Sequence, residues 1–283
     1  MYAEYFGLRE KPFRKTPDPR YLFLSEAHEE ALEQLLFAVE EMELALLTGE
    51  VGSGKTLLTR ALVDRVGDGH EIGMILNPRL PPRQFLSAVA SELGVPEPKF
   101  RSNELLDQIH ERLLALDAVG RPALLVVDEA HLIPGRATLE EIRLLTNFQL
   151  DDRNLVAVVL VGQPELRARL EKKAFRPLTQ RIGADFHLRA LDAAEAAGYV
   201  RHRLAVAGGS PDLFSAAAID RLHQASAGIP RVLNHLATQA LLEAMARGLT
   251  AVDEASAVAA AKSQSFATAA WPAPVAVEAR WGG

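Results

Sequence analysis

The chain has 283 residues, a formal net charge of −6, 48% hydrophobic residues and no cysteine. This length suits one large or two modest domains, and the missing cysteines exclude disulfides, thiolate metal sites and cysteine nucleophiles. The net acidity gives no bulk electrostatic case for a nucleic-acid binder, although a local basic face would still act by patch.

The N-terminal stretch MYAEYFGLREKPFRKTPDP is charged and aromatic and has no apolar signal core. Residues 26–42 carry Leu32, Leu35, Leu36, Val39 and Met42 on one helical face, with Ser25 as a candidate N-cap. Leu44–Thr48 reads as a buried strand and 56–66 as a helix. Ile72–Leu76 is a second strand, followed by helices at 82–93 and 102–116. Leu124–Val127 is a third strand, and Thr138 with Glu141 has the capping-box spacing of a helix start. Leu155–Val161 is a fourth strand and Asp185–Leu188 a short fifth. Strands alternating with helices predict an α/β fold with parallel pairing. The strands are uniformly apolar, as expected when both faces of a sheet are covered.

The pattern changes after Leu188. From 192 to 262 only helices are expected, opened by Asp192 with Glu195, by Ser215, by Pro230 and by Thr250. The tail 263–283 is rich in Ala and Pro and is expected to be disordered, with Trp271 and Trp281 as docking candidates. No run approaches the roughly 20 apolar residues of a membrane helix. We expect a cytoplasmic protein, recruited to the inner face of the membrane only through partners.

Two motifs carry chemistry. GEVGSGKT, comprising Gly49, Glu50, Val51, Gly52, Ser53, Gly54, Lys55 and Thr56, is a full phosphate-loop match between a strand and a helix, with Leu57 continuing into that helix. Its glycines allow amides to approach phosphate closely, and the helix start adds oriented N–H groups. Lys55 would reach the β- and γ-phosphates and the Thr56 hydroxyl would bind Mg²⁺. Asp128 and Glu129 follow a buried strand, at the end of a parallel sheet where ligands bind. Asp128 would hold Mg²⁺ and Glu129 would polarise the attacking water. On an extended chain these neighbours would point apart. The next letters, Ala130 and His131, complete a string that also names a helicase group. Such a helicase needs a second nucleotide-clamping domain, which the segment after Leu188 is too short and too helical to supply. His131 is read as a turn or partner contact, with γ-phosphate sensing as the alternative.

The N-terminal MYAEYFGLREKPFRKTPDPRYLFLS, the phosphate loop, VGQPEL at 161–166 and GIPRVLNHLATQALLEA at 228–244 together resemble the secretion-pathway protein A family of AAA+ ATPases. The resemblance covers about residues 1–262. It implies a five-stranded parallel sheet sandwiched by helices, with a small C-terminal helical lid. The domains would be 1–189 (with 1–24 on the adenine side) and 190–262. Pro17, Asp18 and Pro19 with Tyr21–Phe23 would pack near the adenine, the two prolines stiffening the stretch and the aromatic residues walling the base; alternatively Tyr21 and Phe23 would be core. Gln163 would be a γ-phosphate sensor, with helix capping beside Pro164 as the alternative. Arg231 would be the lid's sensor arginine. Arg181, with Arg176 as competitor, would be a finger reaching a neighbouring subunit. The implied cofactors are ATP and Mg²⁺. The implied partners are further copies of the chain and a protein of an envelope secretion, pilus or polysaccharide-export machine. In secretion-linked relatives a membrane segment and a wall-binding domain follow the ATPase. The chain shows neither, so direct peptidoglycan binding is not expected. The alternative function is an ATP-dependent DNA-binding regulator of the transposition type, using Arg167, Arg169, Lys172 and Lys173 as a basic stripe.

Overall fold

The computed structural model describes residues 2–14 and 18–263. The tail expected to be disordered, and Pro17 of the adenine-side segment, lie outside the described residues. The described residues fall into two compact units.

The first is an α/β unit containing residues 18–191 and Ile229–Arg231. Its sheet consists of β1 (Leu44–Gly49), β2 (Glu71–Ile75), β3 (Ala123–Val127), β4 (Val156–Gly162) and β5 (Ile182–Leu188). The order across the sheet is β2-β3-β4-β1-β5, and every pairing is parallel. Alternate strand residues enter opposite cores. Leu44, Leu46, Leu125, Val127, Val158 and Leu160 face Phe85, Leu86, Leu105, Ile109, Leu139 and Ile142 from the helices Pro82–Glu92, Ser102–Ala118 and Arg136–Leu145. Ala45, Leu47, Leu124, Val126, Val159 and Val161 face Ala31, Leu32, Leu35, Leu58 and Leu62 from Glu26–Glu40 and Lys55–Val66. Covering both faces buries every residue of β1, β3 and β4, so their sequences are continuously apolar.

β5 departs from that pattern. It begins at Ile182, three residues before the predicted start, and its burial alternates along its length. It is the edge strand beside β1, half-exposed, so Gly183 and Asp185 interrupt the apolar run that marks the other strands. Two predicted caps also move. The helix after β3 starts at Arg136 with Gly135 as N-cap, and Thr138 lies inside it, its hydroxyl donating to the Leu80 carbonyl at 3.0 Å. The last helix is Glu254–Lys262 and is capped by Asp253, not Thr250; the Asp253 carboxylate accepts from the Ser256 amide at 2.8 Å.

The second unit is helical, with Ala193–Val206, Ala216–Ser226, Glu254–Lys262 and most of Pro230–Ala246. Asp192 and Glu195 form the expected reciprocal capping box, and the Ser215 hydroxyl accepts from the Ala218 amide. Residues 2–14 belong to this unit and not to the α/β unit where the sequence reading placed them. The reason is local packing. Leu8 and Phe13 are buried, the Phe13 ring meets Phe214 edge to face, and the Arg9 amide donates to the Ala207 carbonyl at 2.8 Å. Arg203, only 6% exposed, donates from Nε to the Pro12 carbonyl at 2.7 Å and from Nη1 to the Tyr199 hydroxyl at 2.8 Å. Its removal takes the donor from the buried Pro12 carbonyl and leaves the Tyr199 hydroxyl, of its two contacts here, only the bond to Asn234 Oδ1. We expect Arg203→Ala to lower unfolding free energy by about 2–4 kcal/mol, read by thermal or chemical denaturation. A variant as stable as wild type would refute this account of how the N-terminal segment is held.

Among the described residues, no helix is long and apolar enough to cross a membrane.

Candidate functional site

The site is built at the carboxyl ends of β1, β3 and β4. The loop after β1 turns through Gly52 (φ 85°) and Gly54 (φ 109°) before the helix begins at Lys55. Only glycine adopts these angles without strain. Space is also closed at both positions. A Cβ on Gly54 would lie 2.7 Å from His28 Nε2, and one on Gly52 would lie 2.4 Å from Arg231 Cβ. The Arg231 amide donates to the Gly52 carbonyl at 3.3 Å, so Arg231 lies against the phosphate loop.

His28 packs against the phosphate loop, a contact that the motif does not reveal. It is 4% exposed, accepts or donates with Ser25 Oγ at 2.7 Å, and reaches the Ser53 carbonyl at 3.2 Å. Ser25 precedes the helix as expected, but its hydroxyl serves His28 and makes no cap bond. The available signal was a histidine four residues before Leu32 on the apolar stripe of that helix.

Lys55 is 8% exposed, and its ammonium donates to the Gly49 and Glu50 carbonyls at 2.7 and 2.8 Å. Burial pushes its pKa down. The carboxylates of Glu129, Asp128 and Glu50 pull it back up, and Arg231 pushes it down. Burial raises Asp128, and the Glu129 amide, donating to Asp128 Oδ1 at 2.8 Å, opposes that rise. Burial also raises Glu50, helped by nearby Glu165. Thr56 is the exposed second residue of the loop helix.

Asp128 and Glu129 diverge, but not by the expected alternation of an extended chain. The Asp128 amide still bonds to the Ile75 carbonyl of β2 at 3.0 Å. Glu129 then takes a left-handed conformation, φ 51° and ψ 35°. That turn is uncommon for a residue with a side chain and reverses the chain into the short helix Ala130–Leu132. Asp128 stays 8% exposed while the Glu129 side chain is 43% exposed.

β4 lies between β1 and β3, which sets the loop and the acids about 10 Å apart at strand spacing. Gln163 ends β4 inside that gap. It is the N-cap residue of the helix Pro164–Leu170, where its carbonyl accepts from the Leu166 amide at 2.9 Å while its side chain makes no cap bond. Arg181 stands at the start of β5. Its Nη1 donates to the Thr146 carbonyl at 3.0 Å. Ile182 pairs with Leu44 and Leu188 with Gly49, so the strand separates Arg181 from its own phosphate loop by about 20 Å. Arg176 is exposed at the head of the helix Arg176–Thr179.

Tyr21 is 2% exposed, in keeping with core packing. The supposed basic stripe does not form. The helix ends at Leu170, before Lys172 and Lys173. Arg167 pairs with Asp185 at 2.6 Å, and Arg169 donates to the Ile133 carbonyl at 2.6 Å.

Residues 39–170 match the AAA domain family. The chain is also 45% identical over 251 residues to general secretion pathway protein A of Aeromonas hydrophila. The chain belongs to the AAA+ family, in the group of secretion-pathway protein A. That alignment covers 88% of the chain but only 46% of the relative, so the chain spans about half the relative's length. The fold is similar to the Aeropyrum pernix ORC2 protein solved as ADPNP–ADP complexes (TM-score 0.66, 18% identity, 92% of this chain and 72% of that one). It is also similar to the Thermotoga maritima RuvB Holliday junction branch migration motor (TM-score 0.57, 18% identity, 84% and 69%).

Proposed function

We propose that this AAA+ chain hydrolyses ATP to ADP and phosphate and that the cycle drives assembly or remodelling of an envelope secretion, pilus or polysaccharide-export machine. The observation that carries the chemistry is convergence. One buried ammonium, Lys55, lies within the electrostatic reach of both Asp128 and Glu129, with Gln163 closing the gap between their strands.

The loop amides and Lys55 would cradle the β- and γ-phosphates. Thr56 and Asp128 offer hard oxygen donors suited to Mg²⁺, which binds through one or two such ligands plus substrate phosphates and water. Among the described residues no three His, Cys, Asp or Glu side chains could hold a metal by themselves. When bound, Mg²⁺ would neutralise charge developing on the phosphate oxygens. Glu129 accepts a proton from water as the water oxygen bonds to the γ-phosphorus. The bond from that phosphorus to the bridging oxygen breaks, ADP leaves, and the proton passes from Glu129 to solvent. Gln163 and Arg231 touch the phosphates from the β4 end and the GIPR turn.

Arg181 completes the site of a second copy, a role supported by its distance from its own loop. We expect Arg181→Ala to lower turnover by about 10³-fold while ATP binding stays intact. Wild-type specific activity should rise with protein concentration. Activity constant on dilution, with Arg181→Ala unaffected, would refute action in trans, and Arg176→Ala is the parallel control.

The machine is proposed from the secretion-named relative. Binding to duplex DNA is the lesser reading, since two of its four proposed cations are spent on internal bonds.

A further inference from the structure

His131 lies between the two groups that must act together. Its Nδ1 is 3.4 Å from Glu129 Oε2 and 3.4 Å from the Gln163 backbone nitrogen, and its side chain is 12% exposed. These contacts make opposite demands on one atom. Nδ1 accepts the Gln163 N–H only with its lone pair, and it holds the Glu129 carboxylate only with a proton. The packing keeps both within reach. A Cβ on Gly162 would come within 3.3 Å of the His131 amide nitrogen and 2.8 Å of Leu166 Cδ2, so the turn Ala130–Leu132 sits tightly on the end of β4. Glu129 itself hangs on a left-handed residue, a conformation that persists only where surroundings fix it.

We propose that His131 is the positioning residue for Glu129, exchanging its Nδ1 between the Gln163 amide and the Glu129 carboxylate and so coupling the end of β4 to the base. This rests on the hydrolysis reading above. His131 does not touch phosphate. With a proton taken up from solvent on Nδ1 it holds the Glu129 carboxylate and lets go of the β4 end; when that proton returns to solvent, Nδ1 accepts the Gln163 N–H again.

The test uses the whole chain. His131→Ala should lower kcat by about 10-fold or more with KM and the affinity for a non-hydrolysable ATP analogue within about 2-fold of wild type. His131→Asn, whose amide nitrogen reaches the position of Nδ1, should recover most of the rate, and His131→Leu should not. In a Glu129→Gln background His131→Ala should cost nothing further, because both changes remove one unit. A merely structural histidine would add its loss in that background or weaken binding. Independently of turnover, the ring-nitrogen resonances of His131, assigned by their loss in His131→Asn, should shift in Glu129→Gln. Unshifted resonances, or a wild-type kcat in His131→Ala, would overturn the role given to His131. A wild-type rate no higher than that of Glu129→Gln would instead overturn the assignment of Glu129 as the base, on which this role rests.

Discussion

Lys55→Ala should weaken ATP binding by about 10- to 100-fold, the value of one or two hydrogen bonds to charged groups. Its ammonium sits at the mouth of the loop, held by the Gly49 and Glu50 carbonyls. Burial works against its charge, and three carboxylates support it. An incoming triphosphate would add negative charge where the ammonium is already desolvated, so the interaction is stronger than the same pair in water. Without Lys55, the same burial leaves Asp128 and Glu129 with no compensating cation from the loop, and a triphosphate must approach two acids directly. Equilibrium titration with a fluorescent ATP analogue reads the loss. Circular dichroism should stay unchanged, since the loop's shape comes from Gly52, Gly54 and the His28 contact. Affinity equal to wild type would show that the phosphates lie elsewhere.

Glu129→Gln separates binding from chemistry. The amide keeps the shape of the side chain but accepts no proton. Turnover should fall by about 10²- to 10⁴-fold, the usual worth of a general base, with ATP affinity unchanged or tighter. Tightening follows if the carboxylate repels the γ-phosphate in the ground state. Half-exposed Glu129 differs here from buried Asp128, whose loss should impair binding of magnesium–nucleotide as well. Phosphate release measured under saturating ATP tests this. A Glu129→Gln rate near that of wild type would mean that the base is another group or that the chain is a binding switch.

Much of this was legible because it is encoded locally. The phosphate loop depends on glycine spacing and a following helix, and both are visible in eight consecutive letters. β1, β3 and β4 announce themselves because burial on two faces removes polar residues from them. β5 was only half legible: at the sheet edge Gly183 and Asp185 are tolerated, and the apolar run shrinks to its last residues. Caps were legible where a side chain had no better partner, as at Asp192 and Ser215. They misled at Thr138, drawn off by the Leu80 carbonyl, and at Thr250, outcompeted by Asp253 three residues on. Long-range contacts were hidden altogether. Nothing in the order of residues says that Leu8 and Phe13 pack with the helical unit, or that His28 supports a loop 25 residues away. The left-handed turn at Glu129 was hidden too, because its letters look like ordinary strand continuation.

The most direct measurement is calorimetric titration of ATP into the purified wild-type chain, with magnesium and with a chelator. A single saturable site is expected, tightening when magnesium is present and weakening about 10- to 100-fold in Lys55→Ala. An absence of binding up to millimolar ATP with magnesium, in protein shown to be folded, would contradict it.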